Sequence, residues 1–305
     1  MSTQMQELGR RRYSLLERFL LGTIILLCSC TSPGGGKDAE RSRVRAEEAR
    51  VTIQMLKQQL NQLDGEARDT ARKLGKEALP ILRERYPREA PRGRTLVLEC
   101  MAEVGGDEVA LFLVRALNDS EPDVWNTALD LLHTTSSPSA IGPLTGAVLS
   151  SRHARVRGEV ARILGKMGAA ASLPDLKKQS ASESDPDAAH KISLAIARLQ
   201  DGPERVKTLE PLSSPDPKVR YQAIADLEYV NDAKLLPKLA PLLKDEARVV
   251  NLGQERWPLW HRVCDRAVDA VAVVSGKPMP SPVGKSSYSK AEIEQARQII
   301  SQFGK

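Results

Sequence analysis

Side chains able to carry out chemistry are few and scattered. The 305 residues hold four histidines (His133, His153, His190 and His261) and four cysteines (Cys28, Cys30, Cys100 and Cys264). No histidine has a second histidine, or a glutamate partner, at the spacing that puts two metal ligands on one helix face. The chain has no Gly-rich phosphate loop and no Gly-x-Ser-x-Gly elbow, and no Cys-x-x-Cys follows residue 30. No metal, no cofactor and no catalytic set is therefore expected. One enzyme reading stays open. Cys264 sits beside Asp265 and three residues after His261, on what reads as a single helix face. A thiol becomes a nucleophile only when a base or a positive charge draws off its proton, so catalysis would rest on Cys264 and His261 alone.

The elements that position these residues follow from a repeated ladder. Val156, Val160 and Leu164 fall at steps of four, which lines them along one helix face. Gly168 follows and can take the left-handed conformation that ends a helix. The same ladder returns as Val124, Ala128, Leu132, then Ala188, Ile192, Ile196, then Val219, Ala223, Leu227, with first positions 32, 32 and 31 residues apart. A fixed period of that length predicts stacked helical hairpins, each hiding its apolar face against the next. Aromatics make up only 4% of the chain, so Ala, Leu and Val must fill this core. Leu96, Cys100 and Val104 continue the ladder upstream, which makes Cys100 a packing residue. First helices are predicted to begin at Ser120-Glu-Pro-Asp123, Ser184-Asp-Pro-Asp187 and Ser214-Pro-Asp-Pro217, each offering a capping oxygen and an early proline. Second helices carry an apolar-Pro-x-Leu mark at Leu79-Pro80, Leu173-Pro174 and Leu236-Pro237, with Gly142-Pro143-Leu144 close to it.

The Val-Arg pairs Val156-Arg157 and Val219-Arg220, the apolar residues four and eight positions on, and the Pro-x-Leu second helices resemble HEAT repeats. The likeness covers residues 78–275 and is nearest to the short bacterial type of phycobilisome-lyase-like proteins. The repeat from Ala188 departs from it, having no Val-Arg pair. The resemblance implies an all-α fold, an α-solenoid (α/α superhelix) of HEAT-like hairpins over residues 77–276. It also implies a concave face lined by the second helices. Lys177, Lys178, Lys207, Lys234 and Lys238 would lie there as contacts for another protein or a peptide, or would simply keep the surface soluble. HEAT-like iron hydroxylases carry repeated His-Glu motifs, which this chain lacks, and the likeness to bilin lyases extends to repeat type only.

The period breaks once. The ladder after Val219 is Val263, Ala267, Val271, a step of 44 residues. The extra dozen fall at 245–257 and are expected to form a loop. They run into Trp257-Pro-Leu-Trp260-His-Arg262, which holds two of the three tryptophans. Tryptophan and arginine dominate binding hot spots, so Trp257, Trp260 and Arg262 are partner-binding candidates; the alternative is that the rings pack over the last repeat. A Gly/Pro/Ser loop at 276–287 precedes Ser289-Lys-Ala-Glu292, a capping box. The helix it starts, within a C-terminal segment at 277–305, is expected to cover the end of the array.

The N-terminus reads as a targeting segment. Arg10, Arg11, Arg12 and Arg18 precede an apolar run at 19–28, which is short for a membrane span and suits a signal peptide at 1–29. Leu27-Cys28-Ser29-Cys30 resembles the bacterial lipobox, which implies lipidation of Cys30, cleavage before it, and residence in the cell envelope. Thr31 in place of Asp points by the same resemblance to the outer membrane. A plain signal peptide or a short anchor are the alternatives. A tether at 30–38, rich in Gly and Ser, would separate lipid from folded body. Residues 39–76 form a helical segment, with Ala46, Ala49, Ile53, Leu56, Leu60, Leu63 and Ala67 in heptad-like spacing and a break at Asp64-Gly65. It would either cap the solenoid or dimerise the chain. The formal charge of +6 comes from 45 basic and 39 acidic residues, well mixed. A nucleic-acid binder would cluster its cations, so no nucleic-acid partner is expected. The sequence thus predicts a lipid-anchored, non-catalytic scaffold for an envelope protein. The alternatives are a lyase-like enzyme and a cytoplasmic nucleic-acid-binding solenoid.

Overall fold

The computed structural model of the chain describes residues 36–251, 259–279, 283–285 and 287–303. The signal-peptide segment, Cys30 and Trp257 lie outside them. Backbone contacts divide the chain into residues 1–57 and 58–305. In the first unit the described part is the beginning of α1 (Gly36–Asn61), so residues 36–38 are already helical inside the stretch expected to be tether. The α1 helix ends where the sequence places a break: Leu63 takes a left-handed φ of 52°, and α2 (Ala67–Leu74) starts after Asp64-Gly65.

The second unit is an all-α solenoid of hairpins. First helices are α4 (Pro91–Val104), α6 (Pro122–Thr135), α8 (Ala154–Lys166), α10 (Pro186–Leu199), α12 (Pro217–Val230) and α13 (Val263–Ser275). Second helices are α3 (Leu79–Arg85), α5 (Asp107–Ala116), α7 (Ile141–Ser150), α9 (Leu173–Ser182) and α11 (Pro203–Thr208). Each first helix packs on the next, and second helices pack mainly on the first helix of the following hairpin (α3 on α4, α5 on α6, α7 on α8, α9 on α10), while α11 packs on its own α10, which makes two layers. The starts come where proline demands them, at Pro122, Pro186 and Pro217, since a first-turn residue needs no amide donor. Asp185 and Asp216 cap their helices by accepting from Ala188 and Lys218 amides. Gly168 ends α8 at φ 68°. The ladders of α6, α8 and α10 are buried throughout.

Four expectations are corrected. Val219 is 40% exposed, although Ala223 and Leu227 below it are buried. Leu236-Pro237 does not begin an α-helix but lies in a 3₁₀ element, Ala233–Leu239. Pro237 has no amide to donate and its ring crowds the preceding turn. The described part of the extra dozen includes a strand rather than only loop. Strand β1 (Arg248–Asn251) runs antiparallel to β2 (Leu259–Arg262), with Arg248 opposite Arg262 and Val250 opposite Trp260. His261 therefore lies on a strand, not on the helix face of Cys264, because α13 starts only at Val263.

The C-terminal helix α14 (Lys290–Ser301) packs on α13 behind the expected capping box: Ser289 Oγ accepts from the Glu292 amide, and Glu292 accepts from the Ser289 amide. Ala296, Ile299 and Ile300 are buried beneath it.

Candidate partner-binding site

Hairpins are locked in register by a polar device that recurs every second repeat. Arg94, Arg157 and Arg220 stand 63 residues apart at equivalent places on α4, α8 and α12. Each guanidinium holds a carbonyl in the loop before its own helix, at Glu89, Ser151 and Ser214. Each also holds an acid in the loop before the next first helix or strand: Asp119 at 3.0 Å, Glu183 at 2.6 Å and Asp245 at 2.7 Å. That acid then accepts the backbone amide two residues on, at Glu121, Asp185 and Ala247. In the intervening repeats Trp125 and Ala189 stand where the arginine would, and the acid is replaced by serine. Ser151 and Ser214 make the same bond to the amides of His153 and Asp216. At this loop position a carboxylate thus occurs only where an arginine answers it. The Glu183 carboxyl is held at about 2, first by Arg157, against the opposing effect of burial.

Ion pairs bridge helices throughout the first layer. Arg72 pairs with Glu103 at 2.6 Å, Lys191 with Glu159 at 2.9 Å, and Arg266 with Glu228 at 2.6 Å, each bridging neighbouring first-layer helices. His133 and His190 do the same with Glu159 and Asp226. Burial alone would raise the Glu159 carboxyl, but His133, Lys191 and Arg162 outweigh it and hold it at about 2. At the centre, Tyr229 of α12 reaches two helices back. Its hydroxyl donates to the Arg162 carbonyl at 2.8 Å, and Arg162 and Arg198 lie over its ring. Gly165 makes room, since a Cβ there would sit 2.1 Å from the Tyr229 hydroxyl.

The second layer differs. Lys177 and Lys178 on α9, Lys207 on α11, and Lys234 and Lys238 on the 3₁₀ element are all exposed, and none forms an ion pair with a described residue. The structure thus sets these five on the second elements of three successive hairpins. Arg262 goes elsewhere. It grips Asp265 with two nitrogens, at 2.8 and 2.7 Å, and donates to Ser287 and to the Tyr288 carbonyl, which ties the C-terminal segment to α13. Trp260 lies on β2, away from those second elements in the chain.

Sequence reasoning missed one feature of this layer. Between α3 and α5 lies an open cleft of about 380 Å³ lined by Arg83, Tyr86, Phe112 and Arg115. Tyr86 meets Phe112 edge to face at 5.1 Å, and its hydroxyl donates to Asp119. Only the rarity of aromatics could have drawn attention to two rings 26 residues apart.

Neither cysteine is set up for attack. Cys100 is buried and its thiol is pushed up to about 12 by that burial. Cys264 is also buried and raised, first by burial and then by the Asp265 charge, while His261 packs near the Tyr221 ring at 6.4 Å. Among the described residues no three His, Cys, Asp or Glu side chains converge as a metal site, and no helix is long and apolar enough to cross a membrane.

Residues 110–197 match the family described as HEAT repeats, so the chain carries a HEAT-repeat domain. No curated protein matches the chain. Among solved structures, human deoxyhypusine hydroxylase in complex with glycerol is similar at 15% identity, over 76% of this chain and 97% of that one, with a TM-score of 0.37. An engineered protein is similar at 15% identity, over 78% of this chain and 70% of its own, with a TM-score of 0.38.

Proposed function

We propose that the chain is a lipid-anchored, non-catalytic scaffold of the cell envelope that holds another protein or a peptide along its second helices. One observation carries the scaffold reading. The cations of the first layer are largely spent on neighbouring helices, and Arg205 on α11 pairs with Asp232, while the lysines of the second layer from α9 onward are exposed and form no ion pair with a described residue. Surface charges that do nothing for the fold are free for a partner. The buried, acid-suppressed Cys264 thiol, with His261 on a strand, supports a non-catalytic role over a lyase-like one. Trp257 and Trp260 remain proposed contacts beside the five lysines, whereas Arg262 acts from within the cap.

The anchor rests on Leu27-Cys28-Ser29-Cys30 and the arginines before it. Several acyl chains on Cys30 would hold the protein firmly where one chain would not. Thr31 favours the outer membrane. Palmitate labelling and membrane fractionation of wild type and Cys30→Ser test this directly. Label and membrane retention should both vanish in the variant, and an unlabelled or cytoplasmic wild type would remove the anchor. Affinity for a captured partner should fall in Trp257→Ala and Trp260→Ala; unchanged affinity takes the tryptophans out of the site.

A further inference from the structure

We infer that the second-layer strip from α9 through α11 to the 3₁₀ element Ala233–Leu239 is a docking site for an acidic polypeptide segment, a reading that rests on the scaffold function above. Lys177, Lys178, Lys207, Lys234 and Lys238 occupy three successive hairpins and are exposed. Acids on the same elements are fewer than the lysines: Asp175, half-buried in the first turn of α9, Glu204 on α11, and Glu210, exposed after α11. The strip therefore carries more lysines than acids, and no ion pair among the described residues neutralises those five lysines.

Spacing argues for a polypeptide. The first helices of these three hairpins pack on one another in turn, and packed helices lie roughly 8–10 Å apart, so successive lysine sets are stepped by a similar distance, about one Debye length at moderate salt. An extended chain advances roughly 3.3 Å per residue. An acid at about every third position would meet one lysine set per hairpin. Val206, 49% exposed beside Lys207, adds an apolar contact within the strip.

Chemistry argues against other polyanions. The second elements from Leu173 to Lys244 contain no Phe, Tyr or Trp. A single-stranded nucleic acid would want rings on which to stack its bases. A lipid surface would want an apolar or aromatic face able to enter it.

The test uses the full chain in detergent and a fluorescein-labelled polyglutamate peptide of about twenty residues, long enough to span three hairpins. Binding is read by anisotropy. The variant Lys177→Glu/Lys178→Glu/Lys207→Glu is compared with Arg92→Glu/Lys166→Glu/Lys218→Glu, which makes the same charge change at exposed, unpaired sites on the first helices. Circular dichroism confirms that both fold. The second-helix variant should weaken binding by about tenfold or more and the control by less than about threefold, with wild-type affinity falling as salt rises. Equal losses in both variants, or no binding by wild type at low salt, would overturn the proposal. Tighter binding of a twenty-nucleotide oligothymidylate, lost in the same variant, would also overturn it by assigning the strip to nucleic acid. Capture from envelope extract separates this proposal from the scaffold reading. A partner kept by wild type and by the second-helix variant alike overturns the acidic segment and leaves the scaffold standing. A wild type that keeps no partner overturns the scaffold, and the docking site with it.

Discussion

Removing the Arg157 guanidinium is the sharpest probe of what holds the solenoid together. Arg157 makes three bonds: two to the Glu183 carboxylate, both at 2.6 Å, and one to the Ser151 carbonyl at 2.9 Å. The Glu183 side chain is 1% exposed. Arg157→Ala strands that carboxylate with only the Asp185 amide and the Gln179 amide group, at 3.1 Å each. Breaking a buried pair from one side costs about 3–5 kcal/mol. The loss should lie near the lower end, about 3 kcal/mol, because Arg157 itself keeps some access to water. The neighbouring repeat shows how to relieve the stranded charge, since it pairs Ala189 with Ser214 and keeps the bond to the amide two residues on. Arg157→Ala/Glu183→Ser copies that arrangement. It removes the buried charge and should leave a loss of about 1–1.5 kcal/mol, the worth of the missing hydrogen bonds. The double variant should therefore be more stable than the single. Urea unfolding at pH 7, followed by helical circular dichroism, measures both, with the slope checked because solenoids can unfold in parts. A single variant costing under about 1 kcal/mol, or a double costing as much as the single, would refute the claim that the arginine is there to answer a buried acid.

Four further outcomes follow from the same structure. Gly165→Ala forces a methyl to within 2.1 Å of the Tyr229 hydroxyl and 3.2 Å of the Ala195 Cα. It should destabilise by about 1–3 kcal/mol despite the better helix propensity of Ala, whereas Gly146→Ala, which meets nothing within 4 Å, should be neutral or stabilising. The Asp226 carboxylate raises the His190 proton affinity through their 2.9 Å bond. A raised group stabilises below its unfolded value and loses that contribution as pH climbs through the folded one. The stability gap between wild type and His190→Gln should therefore be wider at about pH 5.5 than at about pH 8.5. Glu159 and Glu183, both lowered to about 2, work the other way. Their contribution holds above the unfolded value near 4.5 and is lost as pH falls toward 2, so acid titration should unfold the array across that window. Finally, the buried and raised Cys264 should react with iodoacetamide far more slowly in native protein than in urea; equal rates would reopen a reactive role.

Much of the architecture was legible because it depends on local geometry. Steps of four residues state a helix face, a proline after a capping side chain states a helix start, and a glycine in a left-handed position states a stop. Pro186, Pro217, Gly168 and the Ser289–Glu292 box all behave as their types require. The repeat itself was legible as a period. Local rules failed where a neighbour decides. Val219 has the right type and spacing for the core, yet stacking leaves it 40% exposed. The segment before His261 became paired strands because β1 and β2 found each other, and that moved His261 off the face of Cys264. Of the site, the sequence supplied the lysines and their place on second helices. It could not show that the structure leaves them without an ion-pair partner among the described residues.

What the sequence by itself determined is the unit: a helix pair of about thirty residues, its apolar stripe, and the caps at its ends, since these need only contacts within a few turns of chain. Only the tertiary structure decided how units answer one another. Arg157 meets Glu183 across 26 residues, and Tyr229 meets the Arg162 carbonyl across 67. Such pairs exist only once stacking has brought distant segments together, and a charge is free for a partner only if no such neighbour has claimed it.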